Sequence, residues 1–157
     1  MAASHAGAKS LTTVVLAPAL IDQSAANTNS VGVDMQGYER VKFIYQIGGM
    51  VNGSSLSTWA IQSNESNLGN ATNVTYTNTT TGTTGVLAAL VNVANTANNS
   101  VQILDIERPT KRYVGVTVDA VTANITLLGV LAERFPGTST TPPTQPTGFQ
   151  YVSVVSE

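Results

Sequence analysis

Asp105 and Glu107 are the residues whose spacing comes closest to chemistry. Two positions apart on a strand, they share a face, and paired carboxylates are the working groups of glycoside hydrolysis. Arg108, Lys111 and Arg112 follow at once and offer a simpler role for both acids, as surface ion pairs. Other constellations are thinner. The only histidine, His5, lies in an N-terminal arm and cannot build a triad or a metal site alone. There is no cysteine, which excludes disulfides, thiolate metal sites and cysteine nucleophiles. Asp22, Asp34 and Asp119 fall near loops, but no EF-hand spacing joins them into a calcium site. Gly48-Gly49 is not followed by the Gly-Lys-Ser/Thr of a phosphate loop. Trp59, Tyr38, Phe43 and Tyr45 would suit a carbohydrate platform if exposed together, but aromatics in strands are more often core. We therefore expect no catalytic residue, no metal and no cofactor.

The elements that would position these residues are strands. Tyr38–Ile47 alternates, with Val41, Phe43, Tyr45 and Ile47 on one face, and Gly48-Gly49 is expected to end it. Leu56–Gln62 places Trp59 and Ile61 on one face and Leu56 and Ala60 on the other. Val101–Ile106 is a strand, and Glu107-Arg108-Pro109 turns a corner. Arg112–Val118 carries Val114, Val116 and Val118 on one side. Ile125–Leu131 is almost continuously apolar, as expected of a central strand covered on both faces. Leu11–Leu16 and Ala19–Asp22 are short strands around Pro18, and Gln23–Ser30 is loop by composition. Ser63–Gly85 is rich in Asn, Thr, Ser and Gly and is expected to be a surface loop, with a brief strand at Val74–Tyr76. Val86–Ala94 is a strand or a single helical turn. No strand–helix alternation is present. The fold expected is all-β: an antiparallel β-sandwich or jelly-roll-like barrel with extended N- and C-terminal arms.

Composition narrows the function further. Only 10% of the 157 residues are charged and the net charge is −2, so Thr, Asn, Ser and Gly must cover the surface. A surface this neutral does little to keep copies apart by repulsion. Lys111-Arg112 is the only adjacent cationic pair, and direct nucleic-acid binding needs a cluster. The N-terminus lacks the apolar stretch of a signal peptide, and no apolar run is long enough to span a membrane. Residues 1–10 form an N-terminal arm and 11–136 the sandwich. Residues 137–157 are a Pro/Thr-rich linker, expected to be extended, and a terminal strand, Phe149–Val155. A strand on such a linker returns to its own sheet or adds to a neighbour's edge, and the second is the sharper hypothesis.

Three stretches carry a resemblance. GYERVKFIYQIG at 37–48, KRYVGVTV at 111–118 and LGVLAERFP at 128–136 together resemble small structural proteins of tailed bacteriophages. These are similar to capsid decoration, or cement, proteins of the β-sandwich or jelly-roll kind. The likeness runs from Leu11 to Pro136 and leaves out the terminal strand. It implies a non-enzymatic protein made in the bacterial cytoplasm and carried on the outer face of the virion. Such a protein is a trimer or dimer that bridges neighbouring major capsid proteins. The interface residues expected are Leu11, Val14 and Leu16 in the first strand, Lys111 and Arg112, and Phe149, Tyr151, Val152 and Val154 in the terminal strand. The alternatives are a tail or head–tail joining component, and a carbohydrate- or receptor-binding module.

Overall fold

The computed structural model describes residues 10–22, 27–51, 54–77, 84–86, 93–94, 99–136 and 150–155. The described residues contain strands and no helix. In chain order these are β1 (Leu11–Leu16), β2 (Ala19–Ile21), β3 (Thr28–Asn29), β4 (Val33–Asp34), β5 (Arg40–Met50), β6 (Ser55–Ser63) and β7 (Thr72–Asn73). Then come β8 (Thr75–Thr77), β9 (Thr84–Val86), β10 (Val93–Ala94), β11 (Ser100–Glu107), β12 (Tyr113–Val121), β13 (Ile125–Phe135) and β14 (Gln150–Val155). Two sheets pack face to face as a β-sandwich. The first runs β1-β13-β5-β11-β14, with β2 also on β13. The second runs β10-β6-β12-β3, with β4 on β12 and β7 on β6; β8 and β9 form a separate ribbon.

Alternation builds the core. Val41, Phe43, Tyr45 and Ile47 of β5 point inward beside Leu104 and Ile106 of β11. They meet Leu56 and Ala60 of β6 and Val114, Val116 and Val118 of β12 from the other sheet. Burying such side chains is worth roughly 1.5–3 kcal/mol each. One group in this interior is out of character. The Tyr45 hydroxyl is fully buried, and burial pushes its pKa well above the phenol value. Thr58 of the facing sheet lies close enough to act on it, yet neither hydroxyl makes a hydrogen bond of acceptable geometry.

β13 departs from the two-sided burial expected of it. Its register shifts twice between Ile125 and Gly129. Ile125 and Leu127 point inward before the shift, and Val130 and Ala132 point inward after it. A bulge that moves the phase by one residue turns an unbroken apolar run into one inward face. Gly129 carries the irregularity with φ +130°, and a side chain there would crowd the Leu16 carbonyl oxygen at 3.3 Å. Thr126 and Leu128 are left outside.

Three further expectations change. β5 does not stop at Gly48-Gly49 but continues to Met50. Thr28 and Asn29, inside the expected loop, pair with Val118 and Thr117. The polar stretch after Ser63 contributes to packing: Leu68 and Val74 are buried, and Val74 N–H bonds to the Ala60 carbonyl. Leu68 fits because position 115 is glycine; a Cβ there would fall 2.5 Å from Leu68 Cδ1. The terminal strand β14 joins its own sheet, parallel to β11, with Gln150 opposite Gln102 and Val155 opposite Glu107. Of Val86–Ala94, only Val86 and Val93–Ala94 fall within the described residues, all as strand.

Candidate interaction surface

The carboxylates considered first for catalysis lie on the outer face of β11, engaged by a neighbouring strand. Arg40 on β5 closes a two-pronged bond on Asp105: Nε donates to Oδ1 at 2.8 Å, and the second nitrogen donates to Oδ2. Lys42 Nζ stands 4.0 Å from the same carboxylate, and Glu107 stands 3.7 Å from Arg40. The Phe135 ring covers both cations, at 5.8 Å from Arg40 and 5.1 Å from Lys42. Asp105 is wholly buried and Arg40 nearly so. Asp105, expected in a surface ion pair, is therefore held in a buried cross-strand cluster with Arg40 and Lys42. Its signal was in the sequence: Arg40 and Lys42, spaced like Asp105 and Glu107, are an opposite-sign doublet on another strand.

A second cluster sits where the two sheets meet at one corner. Arg112, just ahead of β12, forks onto Asp34 of β4 with distances of 3.0 and 2.8 Å. The Gln36 amide donates to the same carboxylate. The Arg112 bond, with help from that amide, lowers the Asp34 pKa to about 2. Arg134 of β13 donates to the Asp34 carbonyl and stacks over Tyr38 at 4.7 Å, which ties the first sheet to the second. Arg112 is exposed but committed within the chain. The Lys111 amide faces Gln62 Oε1 at 3.3 Å.

The expected interface residues do not share one surface. Leu11 and Val14 are exposed at 46% and 58%, but their register partners, Arg134 and Leu131, lie on opposite faces of β13. Leu16 packs against the core. Leu11 approaches the Arg112 corner through Arg134, its register partner. Tyr151, Val152 and Val154 occupy positions opposite Ile103, Leu104 and Ile106, at the edge of the sheet farthest from β1. Phe149 lies outside the described residues. The structure adds two residues that the sequence reading missed. Leu20, opposite the exposed Thr126, and Leu128 are 62% and 50% exposed on the outer side of the first sheet, the side that Val14 faces. Leu128, expected in the core as part of the covered run Ile125–Leu131, is exposed instead, because the bulge that turns it outward leaves no mark in an apolar run.

Phe43 and Tyr45 are core, and Tyr38 is capped by Arg134. Trp59 is half-buried opposite Thr117 on the outer face of the second sheet. Among the described residues no three His, Cys, Asp or Glu side chains converge on a possible metal position. No protein-family model matches the chain, and no curated protein matches it in sequence.

Proposed function

We propose that this chain is a non-enzymatic structural protein of a tailed-phage virion. It binds the outer surface of the head and holds neighbouring major capsid proteins together. The observation that carries this reading is the outward apolar group of Val14, Leu20 and Leu128 on one side of the first sheet. Large side chains left in water along one edge are suited to a protein contact. Two supports accompany it: the resemblance across residues 11–136, and a surface with little charge to oppose close packing. Asp105 and Glu107, the carboxylates that would have favoured hydrolysis, are instead paired with Arg40. A specific joint of ordinary size buries roughly 1,200–2,000 Å² in total. A protein that binds only the assembled shell stabilises the shell by mass action.

The test is co-sedimentation of the purified protein with undecorated, expanded heads of the source phage. Saturable binding at hundreds of copies per head, with heads that survive higher temperature, is expected. The variant Val14→Asp/Leu128→Asp should fold and lose binding. Absence of binding by the unmodified protein overturns the reading, and binding at about a dozen copies or fewer moves the protein to a joining role.

A further inference from the structure

We infer that the outer face of the first sheet docks a segment of the head that carries apolar side chains and one lysine or arginine, the cation pairing with Glu133. The inference rests on the head-binding reading and names the chemistry of the partner at that same surface. It starts from the register of the sheet. Val14 of β1 stands opposite Leu131 of β13, Leu131 opposite Ile44 of β5, and Ile44 opposite Ile103 of β11. Their chain neighbours Val15, Val130, Phe43 and Leu104 point into the core, so these four face outward. Neighbouring strands lie about 4.8 Å apart, so the four make one apolar row roughly 14 Å long across the sheet. Val14 is exposed, and the other three are half-buried. The group of Val14, Leu20 and Leu128 is thus the exposed end of a larger apolar face, of the kind that marks a protein contact.

The two flanks of the row differ in charge. On one side stands Gln46, opposite Val101 and Gly129, and nothing there is ionised. On the other side Thr12, Glu133, Lys42 and Asp105 stand in register. Lys42 has a carboxylate to either side of it and comes within 4.0 Å of Asp105, which also holds Arg40. Glu133 is left over. Among the described residues no cation lies within ion-pair distance of its carboxylate, and it accepts no hydrogen bond. It is half-buried and shares the outer face with Leu131, two positions and roughly 7 Å away. A partner that covers Val14 and Leu131 strips solvent from this carboxylate as well. Desolvated without a counter-charge, it opposes binding; met by a cation, it favours binding and fixes the orientation of the partner. The occupant that fits is therefore an apolar segment with a lysine or arginine placed to reach Glu133. An acidic segment is rejected.

The test compares the affinity of undecorated, expanded heads for the unmodified protein, Glu133→Gln and Glu133→Lys, by co-sedimentation at low and at high salt. Asp119→Asn, on the outer face of the second sheet, is the control. Denaturant unfolding confirms that each variant folds. Glu133→Gln should weaken binding about tenfold, Glu133→Lys should weaken it further, and the control should bind like the unmodified protein. The affinity of the unmodified protein should fall as salt rises, and that fall should be smaller for Glu133→Gln. Equal or tighter binding by Glu133→Gln overturns the inference, and so does an equal loss from Asp119→Asn. In either case loss of binding by Val14→Asp/Leu128→Asp would still uphold the head-binding reading. Failure of the unmodified protein to bind overturns that reading and this inference with it.

Discussion

Arg40–Asp105 and Arg112–Asp34 are the same chemical pair in two settings. Both arginines use Nε and a terminal nitrogen to grip both carboxylate oxygens. The first is buried between β5 and β11, under the Phe135 ring. The second stands in solvent at the corner, with side chains 49% and 36% exposed. Geometry alone would rank them equal. Surroundings decide otherwise, because a buried charge that loses its counterpart cannot recover its hydration. An exposed charge that loses its counterpart simply turns to water.

The largest effect should therefore come from Arg40→Ala. It leaves Asp105 buried without its main counter-charge and should cost about 3–5 kcal/mol of unfolding free energy, read by denaturant titration. A loss no larger than that of Arg112→Ala would break the comparison. Next, Arg40→Ala/Asp105→Ala should lose clearly less than the two single losses added, because removing both charges removes the orphan. Additivity would mean that packing, not pairing, is what the residues supply. Tyr45→Phe asks whether burial of any polar group matters in the same way. Its hydroxyl has no hydrogen-bond partner, so deletion should cost nothing and gain up to about 1 kcal/mol. A clear loss would reveal a hydrogen bond at that hydroxyl. Arg112→Ala should produce only a small loss, and the loss should shrink further in high salt, whereas that of Arg40→Ala should not.

The smallest effect is on acid stability. The Asp34 pKa lies near 2, below its ordinary value of 3.8. Its carboxylate therefore favours the folded chain at any pH above 3.8, and that contribution fades as pH falls toward 2. Unfolding of the unmodified protein and of Asp34→Asn at pH 6 and pH 2 should show the gap between them narrowing in acid. A gap that is constant or wider at pH 2 would contradict the assignment.

The same contrast explains what the sequence disclosed. Val114, Val116 and Val118 announced an inward face, because alternation is a local property and burial on one side enforces it. The partner of Arg40 lies 65 positions away, and no local period records a pairing at that range. Leu68 and Val74 were hidden for a related reason: a polar segment is held by pairing with β6 and by the gap at Gly115, neither of which is written in its own composition. Among the expected interface residues, Leu11 and Val14 are exposed. That they face opposite ways follows only once the register on β13 is known.

That register has a consequence for how the chain acquires its shape. β13 lies between β1 and β5 in the first sheet, yet it comes more than seventy residues after the end of β5. Emerging from the ribosome, the N-terminal half has no strand to sit between its two flanks until Phe135 has been made. Contacts this distant in sequence place such a domain among slow folders, on the order of milliseconds to seconds. Throughout synthesis β1 and β5 must stay apart and unaggregated, so a stop codon anywhere before residue 125 would yield a chain in which β5 can pair with β11 but nothing joins β1 to β5.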